Sequence, residues 1–110
     1  MHLPSPLEAA HPVVHWRLRG LRDTGMSNPD AVDRAERIAT SILLLRPDAG
    51  EPCARQGPRG RVVLEWGGVR AEVSDHGVEI DGGDLLLDDP LSAERIAGKL
   101  RAQASKSAPV

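Results

Sequence analysis

Two histidines four residues apart, His11 and His15, are the first residues whose spacing could do chemistry. An i,i+4 pair sets two imidazoles on one helix face, as zinc sites do, but Pro12 stands where a metalloprotease motif needs its glutamate. The pair reads as part of a solvated arm, and no metal or other cofactor is assigned. Cys53 and His76 could act as nucleophile and base if the fold brought them together. Cys53, however, lies in a Pro- and Gly-rich stretch with no helix N-terminus behind it to activate the thiol, and His76 sits where a turn calls for polar residues. A free surface thiol is expected, and no catalytic residue is assigned.

Glu65, Glu72, Glu79 and Asp81 alternate with apolar residues, so they are expected on one solvated face, with Asp88 and Asp89 following. Paired carboxylates do hydrolytic work only where a cleft separates and tunes them, and a sheet face offers none. The glycines Gly57, Gly60, Gly67, Gly68, Gly77, Gly82 and Gly83 match neither a P-loop nor a dinucleotide-binding fingerprint and read as turn residues. Arg17, Arg19 and Arg22 near the N-terminus, with Arg55, Arg59 and Arg61 further on, could touch phosphates if gathered together. Arg17, Arg19, Arg55 and Arg59 are the phosphate contacts such a reading would use.

The elements that must position these residues follow from periodicity. Residues 1–26 mix Pro, His, Arg and Gly and read as an irregular arm with a short helix over 12–20; the abrupt helix start after Met26 raises an alternative start there. Asn28 as N-cap, Pro29 and Asp30 open a helix that runs to Leu45. Ala31, Ala35, Ile38, Ile42 and Leu45 form its buried stripe, and Asp30 with Arg34 and Asp33 with Arg37 form i,i+4 pairs. Residues 46–60 read as a loop.

From Val62 the period changes to two. Val62–Trp66 and Val69–Val73 flank Gly67-Gly68, the signal for a two-residue hairpin. Trp66 then opposes Val69, and Glu65 opposes Arg70 on the other face. The turn 74–77 leads into 78–81, and Gly82-Gly83 into 84–87, with Val73 facing Val78 and Ile80 facing Leu85. Ser92 caps a second helix whose stripe is Ile96, Ala97, Leu100 and Ala104. The expected fold is α+β: a four-stranded antiparallel β-meander packed on one face by two amphipathic helices, in the order α-β-β-β-β-α. A single domain over 27–104 follows the arm, and residues 105–110 form a frayed tail.

Composition narrows the class of function. A chain of 110 residues buries roughly 60 to 65% of its unfolded surface as one domain. Its only aromatic residues of the Phe, Tyr and Trp set are Trp16 and Trp66, so the core is aliphatic and the base-stacking platforms of single-strand binders are lacking. A formal charge of −2 gives no pull toward polyanions, so nucleic acid is not favoured. One cysteine, no long apolar run and no signal peptide point to the cytoplasm, away from membranes.

Gly60-Arg61-Val62-Val63-Leu64-Glu65-Trp66, after a helix ending Leu43-Leu44-Leu45, resembles small uncharacterised bacterial proteins that share a helix, a Gly-x-x-x-Leu-Glu-Trp strand and a meander. The resemblance covers residues 29–87 and implies no activity. Arg, Ala, Gly and Asp usage fits a bacterial source. The expectation is a non-enzymatic protein-interaction or assembly module that self-associates, a homodimer in its simplest form. Leu43, Leu44 and Leu86 fall outside the expected core faces and, with Trp16, are the expected interface. The alternatives are an antitoxin-like nucleic-acid-associated regulator using the arginines, and a small enzyme built on Asp75, His76 and nearby carboxylates.

Overall fold

Prolines start helices in this chain. In a computed structural model describing residues 5–107, Pro6 opens α1 (Pro6–Ala10) and Pro12 opens α2 (Pro12–Asp23), each where no backbone N–H is needed. Ser5 caps α1 by accepting the Glu8 N–H. The expected irregular arm is therefore two helices, with α2 extending beyond the short helix expected over 12–20. Leu7, Val14, Leu18 and Leu21 are buried in the same core as the rest of the chain. Residues ahead of Met26 thus supply core, and a product starting at Met26 would lack these four side chains. Residues 1–4 of the expected arm lie outside the described residues.

The third helix, α3 (Pro29–Leu45), is capped by Asn28, whose side chain accepts the Asp30 N–H. Ala31, Val32, Ala35, Ile38, Ala39 and Ile42 are buried, but Leu45 turns outward. The expected i,i+4 pairs give way to longer reaches: Arg22 takes Asp33, while Arg34 and Arg37 both reach Asp89.

The sheet has five antiparallel strands in sequential order, a meander that is not closed into a barrel. The added strand is β1 (Cys53–Gln56), inside the stretch expected to be loop. It fits between Pro52 and Pro58 and pairs with β2 (Val62–Trp66), Ala54 opposite Leu64. Next come β3 (Val69–Val73), β4 (Val78–Ile80) and β5 (Leu85–Leu86). Trp66 opposes Val69, Glu65 opposes Arg70 and Val73 opposes Val78, all as expected.

The last reversal differs from expectation. Asp81 and Gly82 both adopt positive φ, and Gly83 N–H donates to Ile80 C=O, so Asp81-Gly82 form the tight turn and Gly83 adds a third residue to the connection. Val78 then opposes Leu86 and Glu79 opposes Leu85. A one-residue slip reverses which side chain faces the core. Leu86 accordingly packs against the core, partly buried, and Leu85 is exposed.

The closing helix is α4 (Asp89–Ser107). Its cap is Asp88, whose carboxylate accepts the Leu91 N–H; the expected cap, Ser92, is fully buried and donates its hydroxyl to the Asp88 carbonyl. Ile96, Ala97 and Leu100 are buried as expected. The burial of Ala104 and the tail residues 108–110 lie outside the described residues, while residues 105–107 continue the helix.

The four helices line one side of the sheet: α2 beside β1, α3 over β2 and β3, α4 over β3 to β5, and α1 against α2 and α3. Val62, Leu64, Trp66, Val69, Ala71 and Val73 meet them in a single aliphatic core. The opposite face carries most of the sheet's charged residues, but Val63 is fully buried there. The β1–β2 loop curls against it, since a Cβ on Gly57 would lie 3.0 Å from the Val63 methyl. Arg55 and Glu72 lie opposite it on the neighbouring strands, paired with Glu65 and Arg61.

Candidate interaction surface

Four consecutive apolar residues close α3, and a helix turning 100° per residue cannot point all of them at one core. Ile42 is buried and Leu43 half-buried, whereas Leu44 and Leu45 are 70% and 49% exposed. Across from them, α4 begins with Pro90 and Ala93, and between the two helices lies an open groove of about 530 Å³. Leu44, Leu45, Pro90 and Ala93 form its apolar lining; Ser41, Glu94 and the bonded pair Arg37 and Asp89 complete it. Glu94 also borders a second shallow depression that contains Leu91, which is 44% exposed. Leu87, one residue before the Asp88 cap, is 72% exposed. Exposed apolar groups gathered around a groove are how interaction surfaces look on a monomer.

Of the expected interface residues, Leu44 lies on this surface, Leu43 beside it, and Leu86 in the core. Trp16 is exposed on α2, its ring edge-on to His15 at 5.0 Å, on a different helix from the groove. Leu45, expected in the buried stripe of α3, is exposed there, as are Leu87 and Leu91, to which the sequence assigns no role. Leu87 and Leu91 are four residues apart across the cap, a spacing that could have marked them once Asp88 was recognised as the helix start.

The two arm histidines do not converge. His11 Nδ1 lies 3.9 Å from Glu51, while His15 is buried with its ring nitrogens 3.8 Å from Glu8 and 3.7 Å from Glu36. His15 is thus part of the packing of α1, α2 and α3 and not of a solvated arm. Among the described residues no group of three or more His, Cys, Asp or Glu side chains is arranged to hold a metal ion.

Cys53 and His76 stand at opposite ends of the sheet. Cys53 is level with Glu65 and Arg70, whereas His76 lies in the turn beyond Val73, which is level with Val62 and Gln56. A small cleft of about 190 Å³ does lie beside His76, between Asn28, Arg59 and Ser74. Its only hydroxyl, that of Ser74, is engaged in the turn: it accepts from the His76 and Gly77 N–H groups and donates to the Gly77 carbonyl. Asp75 is 3.7 Å from the exposed His76 ring.

On the outer sheet face two of the expected carboxylates are matched by arginines, and Glu79 lies opposite Glu72. Glu65 pairs with Arg55, not with Arg70 across the hairpin, and Glu72 pairs with Arg61. Asp81 leaves that face for the turn, where it accepts the Arg70 N–H and pairs with Lys99 at 3.2 Å. The same pairs spend the arginines. Arg17 donates to the Ala54 carbonyl on the free edge of β1, Arg22 pairs with Asp33, and Arg19 and Arg59 are exposed on separate elements. No basic stripe results from this arrangement. Among the described residues, no helix is long and apolar enough to cross a membrane. Comparison with known protein families, with curated proteins and with solved structures finds no match for this chain.

Proposed function

We propose that this chain is a non-enzymatic protein-interaction module of a bacterial cytoplasm that docks a partner on the leucine-lined face of α3 and α4. The observation that supports the reading is the pair Leu44 and Leu45, exposed beside a groove that Pro90 and Ala93 also line. Val13, Trp16, Met26 and Leu85 are exposed elsewhere as separate side chains, whereas Leu44 and Leu45 are adjacent and border a groove. Contiguous exposed apolar groups are where burial against another surface gains most.

Site-specific photo-crosslinking tests this reading. A photoreactive side chain at position 44 should give a discrete adduct in the native host, and the same group at exposed Arg101 should not. Absence of any adduct at position 44, or equal labelling at both positions, refutes the reading.

A further inference from the structure

We infer that His15 is a proton-operated latch: its imidazolium ties α1 and α3 to α2, and loss of that proton loosens α1 from the rest of the chain.

His15 is 4% exposed, and each of its ring nitrogens faces a carboxylate from a different helix. Nε2 lies 3.8 Å from Glu8 Oε2 in α1, and Nδ1 lies 3.7 Å from Glu36 Oε1 in α3. A neutral imidazole has one N–H and one lone pair, so in either tautomer one nitrogen turns its lone pair toward a carboxylate oxygen. The imidazolium alone offers a donor to both. Nδ1 is buried without a hydrogen-bond partner, and a proton on it would supply one in Glu36. Two anions within 4 Å, attracting through a medium less polar than water, oppose the cost of burying the charge.

The charged groups around this cluster have other engagements or point to solvent. On α2, His11 lies one turn before His15 and 3.9 Å from Glu51, while Arg19, one turn after, is exposed. Arg22 pairs with Asp33 of α3, and Arg37 of α3 pairs with Asp89. On the β1 side of α2, Arg17 donates to the Ala54 carbonyl.

The latch matters most for α1. Five residues are too few to hold a helix unaided, and α1 is anchored by the fully buried Leu7 and by Glu8 against His15. Histidine changes charge between about pH 5 and 8. A histidine whose charged form gains partners on folding adds stability that is present in mild acid and lost as the pH rises.

Trp16 supplies a local reporter, because its ring meets His15 edge-on at 5.0 Å and an adjacent imidazolium quenches indole emission. The test follows tryptophan emission and the urea midpoint of the full chain from about pH 5.5 to 8.5, above the ordinary range of carboxylates. In the wild type, emission should rise and the midpoint fall with increasing pH, the folding constant dropping at least about threefold. Amide exchange in α1, corrected for the intrinsic effect of pH, should be faster at the alkaline end. H15Q should abolish the emission change, and H11Q should leave it in place. E8Q and E36Q each remove one anion from a partly exposed position; both should stay folded by circular dichroism and shrink both changes, so the test stands even where H15Q fails to fold. Flat emission in the wild type, an emission change that survives H15Q, or wild-type behaviour of both E8Q and E36Q overturns the inference. A midpoint that rises with pH overturns it as well, since burial would then be holding the ring neutral.

Discussion

The Arg34 guanidinium donates to one carboxylate oxygen of Asp89 at 2.7 Å, and Arg37 donates to the other at 3.2 Å, so one side chain fastens α3 to the first turn of α4. Arg34 is mostly buried, and its other terminal nitrogen reaches the Asp75 carbonyl at 3.4 Å. Removing Asp89 leaves a half-buried guanidinium without its anion, which costs more than losing an exposed pair. Asp89→Ala should destabilise the fold by about 2 kcal/mol, read as a lower urea midpoint at unchanged slope. Arg37→Ala, whose side chain is largely exposed, should cost under about 1 kcal/mol. Equal losses from the two substitutions would contradict the assignment of Arg34 as the principal partner.

Much of the meander was legible because the β2–β3 hairpin repeats the same parity on both sides of Gly67-Gly68, and Trp66 and Val69 leave one register that buries both. The third reversal was ambiguous: a two-residue Gly82-Gly83 turn and a three-residue Asp81-Gly82-Gly83 connection are both acceptable, and choosing between them moves Leu85 and Leu86 to opposite faces. The N-terminal helices were hidden by reading Pro6 and Pro12 as breakers when each occupies a first-turn position. Short β1 was hidden because four residues between prolines give too few alternations to establish a period. The exposed ends of Leu44 and Leu45 were legible only in part. The excess of apolar residues at the end of α3 is plain in sequence, but which of the four turns outward depends on where α4 lies.

Gly77 is required by proximity. A Cβ built there would lie 2.3 Å from the Leu86 carbonyl oxygen, which is backbone and cannot rotate away. Gly77→Ala must push β5 from β4, and only two residue pairs hold that edge. The expected outcome is a loss of about 1–3 kcal/mol and faster amide hydrogen exchange confined at first to β4 and β5. Unchanged exchange there would show that the turn relaxes some other way.

The helices before Met26 should behave as core. Leu18 is 1% exposed, and Leu18→Ala should cost about 2–4 kcal/mol through lost burial and the cavity left behind. Trp16→Ala, one turn face away and largely exposed, should cost less than about 0.5 kcal/mol. A chain lacking residues 1–25 loses Leu7, Val14, Leu18 and Leu21 together and uncovers the β1 edge, where Arg17 now meets the Ala54 carbonyl. It should aggregate on refolding, as exposed strand edges do. A soluble, cooperatively melting fragment from Met26 onward would show that these helices are accessory.

The slip at the last turn gives the sharpest contrast between two neighbours of identical chemistry. Leu86 opposes Val78 and packs on the core, whereas Leu85 opposes Glu79 on the outer face. A lysine can carry its ammonium to solvent from position 85, beside the Glu79 carboxylate, but from position 86 it must displace core packing or desolvate its charge. Leu85→Lys should therefore be neutral within about 0.5 kcal/mol, and Leu86→Lys should destabilise by about 1–3 kcal/mol. The register with Ile80 facing Leu85 predicts the opposite order, so thermal melts of the two variants decide between the registers without further structural work.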